Sequence, residues 1–498
     1  MLSKIKSATL FGADAKLIDI EVDAQKGLPA EYIVGLPDTI IRESKNRIKA
    51  AIKNEGFDYP ARVYTINLAP AEFPKEGPLL DLPIAISILK CTNQIKLDTT
   101  YLAIGELSLD GSIKKVRGAI SICQAAKEAG IKDIILPKDN ISEVNCMEGI
   151  NIYPVKTLKD ITELKKAIFP PLKKTVTHPS DEDFSDVKGQ LAAKRALEIA
   201  AAGKHNILLI GPPGSGKTML LKRLKNILPP LSLEEAIESL KVATTQPLMS
   251  SEFTFKSPWR SPHHTISYAG MIGGGKNPRP GELSLAHNGL LFLDELPEFQ
   301  RPVLESLRQP LEDNIVSITR AHFSVTFPAN IMLVATMNPC PCGYYNDHEK
   351  DCTCTPTQVK KYWKRISGPI LDRIDMIIDV PRLKKSDFKP SKSQNNPYTN
   401  QNLIHRVSTT REIQTKRYCS HKTNSKMSEK DLETHASIAQ ETRDFLAESV
   451  EKGRLTGRTY TKVLKVARTI ADLNKTPEIR MEHVLEAIQY RRSNIIPT

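Results

Sequence analysis

The eight residues Gly211-Pro212-Pro213-Gly214-Ser215-Gly216-Lys217-Thr218 have the types and spacing to hold a nucleoside triphosphate. Glycines let a backbone curl until its N–H groups converge on phosphate oxygens. A helix N-terminus behind them adds partial positive charge. In that arrangement Lys217 reaches the β- and γ-phosphates, and the Thr218 hydroxyl ligates Mg²⁺. The flanks fit as well: Ile207 to Ile210 is an apolar run, and Met219 to Leu224 is patterned as a helix. A Gly/Pro-rich turn that matched by chance would need neither flank.

Two later stretches supply carboxylates and an amide. Leu290-Leu-Phe-Leu293 is an apolar strand ending in Asp294-Glu295. With a phosphate loop upstream, Asp294 is expected to hold Mg²⁺ through water and Glu295 to polarise the attacking water. The other reading is a buried strand followed by solvated acids. Ile331 to Asn338 is a third apolar strand, ending in a polar amide.

The bulk numbers bound the rest. A chain of 498 residues is expected to form roughly two to four domains. Its 40% hydrophobic and 26% charged residues are ordinary for a soluble globular protein. A formal net charge of +13 favours an acidic partner, most commonly nucleic acid, although a solvated basic surface gives the same number. The 8 cysteines are not spaced as a secreted disulfide framework, so reduced thiols in the cytoplasm are expected. The stretch from Met1 to Ala8 lacks the apolar core of a signal peptide, and no apolar run reaches membrane-spanning length. A cytoplasmic protein without a membrane partner is the expectation.

Several segments resemble AAA+ ATPases. Phe184 to Gln190, ahead of the phosphate loop, is similar to the adenine-side entry of that fold, which implies Val187 and Gly189 near the base. The resemblance makes Asn338 a sensor between the γ-phosphate and the strand-end acids. Ser367-Gly-Pro-Ile-Leu-Asp372-Arg373-Ile-Asp375 resembles the matching segment of the magnesium-chelatase and MCM-like branch. It implies that Arg373 is an arginine finger on the nucleotide of the next subunit. A surface arginine paired with Asp372 or Asp375 is the alternative. Leu455 to Leu473 resembles the second sensor helix, with Arg458 pointing at the nucleotide and a basic face of Lys462, Lys465 and Arg468.

The front of the chain, with short strands alternating with helical segments, reads as an α+β domain. Pro74 to Asp81 and Gly105 to Pro137 resemble the proteolytic domain of Lon proteases, which uses a Ser–Lys dyad. Leu79 stands at the serine position and Ile120 at the lysine position, so the resemblance implies the fold without the activity. Further matches are Arg260 to Ser267, Gly273 to Lys276, Arg279 to Glu282, Leu307 to Glu312 and Met337 to Gly343. Over nearly the whole chain the protein resembles the ComM/YifB family of magnesium-chelatase-like AAA+ ATPases. That implies a homo-hexamer using ATP and Mg²⁺ to move branched DNA, driving branch migration of recombination intermediates in natural transformation. The core motifs also allow a chelatase-type ATPase powering metal insertion, or a non-motor remodeller of a protein partner.

The expected architecture is α/β. Residues 1–169 form an inactive Lon-protease-like domain, 170–183 a Pro- and charge-rich linker, and 184–383 the AAA+ core. Residues 384–426 form a flexible connection, and 427–498 a helical lid. Ile315 to Arg320 and Ser324 to Pro328 read as two strands around a tight turn. There Arg320 and His322 could meet phosphates and Phe323 could stack on a base. Lys276 and Arg279 mark a second candidate DNA loop; bracing within the ring is the alternative for both.

Cys340-Pro-Cys342 and Cys352-Thr-Cys354 bracket a short polar loop. Four thiolates so close could make a tetrahedral structural Zn²⁺ site, and a reduced, loosely packed turn is the other reading. His263 and His264 project in different directions along an extended chain and read as structural or interfacial. Cys91, Cys123, Cys146 and Cys419 read as isolated small apolar residues.

Overall fold

The computed structural model describes residues 1–97, 99–172, 182–246, 252–275, 277–319, 324–347, 349–383, 387, 397–452 and 456–491. Two sheets organise it. The first belongs to the front of the chain and has seven strands. In spatial order they are Ala30–Val34, Val63–Ala69, Asp14–Gln25, Leu2–Phe11, Tyr101–Ala103, Asp133–Pro137 and Asn151–Val155. Its spine is the antiparallel hairpin of Leu2–Phe11 and Asp14–Gln25, paired from Leu2↔Asp23 to Phe11↔Asp14. Along Asp14–Gln25 the core-facing Ile18, Ile20, Val22 and Ala24 alternate with polar residues, which keeps one face dry. Helix Asp81–Cys91 is buried almost all round and fills the centre of this domain.

The Lon-like stretch is pinned at its turn. Asp38 caps helix Thr39–Asn54 by accepting from the Ile41 N–H, and its other oxygen accepts from the Gly77 N–H at 2.9 Å. Leu79 follows two residues later and lines a cavity of about 810 Å³ between this domain and the core. Ile120 is fully buried, and its N–H donates to Glu143, whose carboxyl burial pushes up to about 7. Neither position offers a nucleophile or a base.

The second sheet is parallel. Its order is Trp259–Arg260, Leu290–Leu293, Met332–Met337, Ile207–Ile210 and Met376–Asp379. The phosphate-loop strand Ile207–Ile210 lies between Met332–Met337 and Met376–Asp379, with Ile210 opposite both Met337 and Asp379. All four of its residues are buried, as expected of a central parallel strand covered on both faces. Helices Leu191–Gly203 and Lys217–Leu224 pack on one side. At the other end of the strand Asn206 stitches three strands together. Its amide oxygen accepts from Leu333 N–H, its amide nitrogen donates to Arg373 O, and its backbone N–H donates to Asp375.

Residues 384–426, expected as a flexible connection, instead carry the 19-residue helix Asn400–Tyr418. Its buried stripe is Leu403, Val407, Thr410 and Gln414, half of it polar, so the apolar period is faint. The polar members are used. Gln414 donates to Ala202 O at 3.1 Å and Arg411 to Ala201 O at 2.8 Å, satisfying the last carbonyls of helix Leu191–Gly203. The lid helices Gln440–Glu451, Gly457–Leu473 and Met481–Gln489 share one apolar cluster with this helix and the core. Among the described residues no helix is long and apolar enough to cross a membrane.

Candidate functional site

The phosphate loop leaves Ile210 and turns on Gly214 and Gly216, both in the left-handed region. Gly211 has no room for a side chain: a Cβ there would meet Val380 O at 2.1 Å. Helix Lys217–Leu224 starts directly from Gly216. Ser215 is buried, and its hydroxyl has no hydrogen-bond partner. Lys217 Nζ donates to Gly211 O at 2.6 Å, to Pro212 O at 2.9 Å and to Asn338 Oδ1 at 3.3 Å. Burial holds the Lys217 ammonium down to about 8, even though Asp294 and Glu295 pull the other way.

Thr218 Oγ1 lies 3.2 Å from Asp294 Oδ2, so hydroxyl and carboxylate stand side by side as Mg²⁺ ligation requires. Thr336, which sequence reasoning did not single out, donates from its hydroxyl to Asp294 and accepts from the Glu295 N–H at 3.1 Å. Glu295 sits at φ +53, which turns its exposed side chain out of the strand. An orphaned buried hydroxyl, a glycine-lined cradle and this donor set together fit Mg²⁺ and a triphosphate.

Val187 is buried and its carbonyl accepts from Lys194 at 2.6 Å. Gly189 is left-handed, and a Cβ on it would touch Asp387 and Leu383. Gln190 bridges the two walls, donating to Ser215 O at 3.3 Å and Pro381 O at 2.7 Å. The phosphate-loop residues, Val187, Gly189, Asp294, Glu295 and Asn338 therefore share one end of the sheet.

Arg373 and Arg458 do not. Arg373 precedes strand Met376–Asp379, whose last residue pairs with Ile210 at the phosphate-loop end. The intervening strand alone spans about 10 Å. Its guanidinium pairs with Glu312 and donates to Pro369 O at 2.9 Å, while its Nε has no partner. The carboxylate partner is thus Glu312 rather than Asp372 or Asp375, which departs from the surface-pair alternative. The motif Leu307 to Glu312 is thereby explained, since Arg308 also reaches Ser367 Oγ at 3.2 Å.

Arg458 was expected to point at the nucleotide, and the geometry corrects that for its own chain. Its exposed side chain lies 3.6 Å from Asp372. One turn on, Lys462 pairs with Asp375 at 2.9 Å and donates to Ile374 O. Both contacts are at the Asn206 edge, the far end of the sheet from Lys217. The supposed basic face of this helix is also internal. Lys465 donates to Ser425 O, and Arg468, 1% exposed, pairs with Asp472 and donates to Thr476 O and Pro477 O.

Of the candidate DNA residues, Lys276, Arg320, His322 and Phe323 lie outside the described residues. Arg279 is exposed at the rim of the inter-domain cavity. Arg117 of the front domain faces it, and burial first, then Arg279, hold the Arg117 guanidinium below its usual range. Asn277 next to this loop donates to Glu76 at 2.6 Å. Strands Ile315–Thr319 and Ser324–Pro328 pair as expected, from Ile315↔Pro328 to Thr319↔Ser324. Their inner face touches the front domain, where a Cβ on Gly12 would meet Val325 at 2.7 Å.

The rings of His263 and His264 lie 4.0 Å apart, and among the described residues they join no metal-ligand cluster. Cys340, Cys342, Cys352 and Cys354 do form one.

A parallel sheet with a phosphate loop, paired strand-end acids and a helical lid defines a P-loop ATPase of the AAA+ kind. Family models agree. One described as magnesium chelatase, subunit ChlI, matches residues 183–388; one described as subunit ChlI of Mg-chelatase matches 20–140; and one for the ChlI C-terminal part matches 398–491. The chain is 42% identical over 502 residues to YifB of Escherichia coli, covering 98% of this chain and 97% of that protein. It is 40% identical over 508 residues to competence protein ComM of Haemophilus influenzae, with 98% and 97% covered. Lon protease 2 of Bacillus subtilis matches at 31% over 144 residues, 28% of this chain and 26% of that protein. The chain belongs to the YifB/ComM family of magnesium-chelatase-like AAA+ ATPases with a Lon-protease-like N-terminal region.

Proposed function

We propose that the protein is an ATP-driven DNA motor that works as a homo-hexamer and migrates branches in recombination intermediates. The observation that carries this is the split nucleotide site. Lys217, Thr218, Asp294 and Asn338 converge at one end of the sheet, while Arg373 and Arg458 stand at the other. So placed, neither arginine reaches the γ-phosphate of its own chain, and a neighbour in a ring would supply one. In this reading Lys217 binds the phosphates, Thr218 and Asp294 would hold Mg²⁺, and Glu295 orients the attacking water. Asn338 senses the γ-phosphate, with Val187 and Gly189 beside the base. Bound Mg²⁺ would neutralise charge on the β- and γ-oxygens.

DNA as the partner is supported by the +13 charge, by the exposed Arg279 facing Arg117, and by the resemblance to a competence protein. Lys276, Arg320, His322 and Phe323 complete the proposed DNA contacts. The description of the family models favours a second reading, a chelatase-type ATPase subunit. The two readings separate on DNA-stimulated ATP hydrolysis. We expect four-way DNA to raise turnover at low salt, the gain to fall steeply as salt rises, and Arg117→Glu/Arg279→Glu to abolish it with basal turnover intact. Hydrolysis indifferent to DNA at every salt concentration would overturn the motor reading.

A further inference from the structure

We propose that Cys340, Cys342, Cys352 and Cys354 hold one Zn²⁺ in a tetrahedral all-thiolate site that fixes the sensor loop against the phosphate loop. The four Sγ atoms lie within 4.8 Å of one another. Cys340 and Cys352 are 3.7 Å apart, Cys342 and Cys352 3.5 Å, and Cys340 and Cys342 3.3 Å. A Zn–S bond of about 2.3 Å spaces tetrahedral sulfurs by roughly 3.8 Å, so these atoms would close on the ion with small shifts. All four are free thiols rather than disulfide partners. A polynuclear iron–sulfur cluster would hold its ligands farther apart, because several irons and sulfides lie between them. The Cys342 N–H donates to Cys354 Sγ at 3.4 Å, the kind of outer contact that steadies a thiolate ligand.

The chain around the cluster has no helix or strand among its described residues. From Asn338 to Thr355 the described residues form only turns, closed by Gly343 N–H to Cys340 O at 3.0 Å and Asp347 N–H to Tyr344 O at 3.1 Å. Between Cys342 and Cys352, Tyr345 is the described residue that packs on the neighbouring apolar cluster. A structureless segment of that length inside a compact domain is uncommon without a staple. Metal binding would provide it, releasing the thiol protons as the ligands ionise.

The staple would act on the nucleotide site. Gly343 is left-handed, and a Cβ on it would meet Pro213 of the phosphate loop at 2.6 Å. Asp347 pairs with Arg382 at 2.8 Å, next to Pro381, which accepts from Gln190. Trp363 donates its indole N–H to Pro339 O at 3.0 Å, between Asn338 and Cys340. The ion would therefore set Asn338 and the Pro213 wall from behind, as a positioning element.

The test is metal analysis of the full-length chain purified reduced and without chelators. About one zinc per chain is expected, kept in Cys419→Ala and lost in the double variant Cys352→Ala/Cys354→Ala. Because that variant could unfold, the wild type stripped of metal is also titrated with Co²⁺. Thiolate-to-cobalt charge-transfer bands and intense tetrahedral visible bands are expected, both displaced by Zn²⁺. ATP turnover of the stripped protein should fall about tenfold and return with zinc. Absence of zinc together with absence of the cobalt bands would overturn the proposal, as would a full zinc equivalent retained by the double variant. Neither readout depends on DNA.

Discussion

At the scale of single residues, Lys217 shows how the site is poised. Its ammonium is held by two loop carbonyls and Asn338, and burial lowers its pKa from 10.5 to about 8. A triphosphate needs this group charged. Below about 8 the lysine already carries its proton; above it, binding must take one up, so ATP affinity should fall nearly tenfold per pH unit. Fluorescent-nucleotide titrations on both sides of that value check this, and Lys217→Arg should remove the slope because arginine stays charged. A flat wild-type profile would contradict the poise. The phosphate loop, Asp294, Glu295 and Asn338 were legible because their chemistry fixes both residue type and spacing. Thr336 was not, because a hydroxyl in an apolar strand has many possible uses, and Gln190 was read as the end of the adenine-side entry without its bridging role. Only folding brings Thr336 against Asp294 and Gln190 against Pro381.

At the scale of elements, the lid is fastened to the core sheet by buried charge. Burial works against the Asp375 carboxylate, but Lys462, His205 and the Asn206 N–H hold it down at about 2. Lys462→Met would strand that carboxylate at the sheet edge. We expect a loss of about 3 kcal/mol in chemical denaturation, largely recovered by adding Asp375→Asn. An unchanged midpoint for the single variant would mean the pair contributes nothing to docking. The same polar packing hid helix Asn400–Tyr418 from sequence reasoning. Its half-buried Arg411 and buried Gln414 satisfy carbonyls, so polarity did not mean flexibility there. Three core-sheet strands were easier to read, since Ile207–Ile210 and Leu290–Leu293 are apolar throughout, Met332–Met337 is apolar but for Thr336, and all are bounded by turns or functional polar residues.

At the scale of the whole molecule, the proposed ring would form its active sites between chains. Arg373→Ala should lower ATP turnover by about 10³-fold, and Lys217→Ala should abolish it. Mixed in equal amounts, the two inactive variants should regain activity, because about a quarter of random interfaces would join an intact Lys217 to an intact Arg373. No recovery on mixing would place Arg373 outside the neighbour's site. The front domain belongs to the same machine. It touches the hairpin near its turn through Gly12 and Val325, and it presents Arg117 to Arg279, while Leu79 and Ile120 leave its protease positions without chemistry. The central claim is that ATP hydrolysis moves DNA branches. Its most direct test is branch migration of a labelled four-way DNA by the purified protein, with Lys217→Ala and Glu295→Gln alongside. ATP-dependent conversion to duplex products is expected of the wild type and none of either variant. A wild type that hydrolyses ATP yet leaves the junction intact would contradict it.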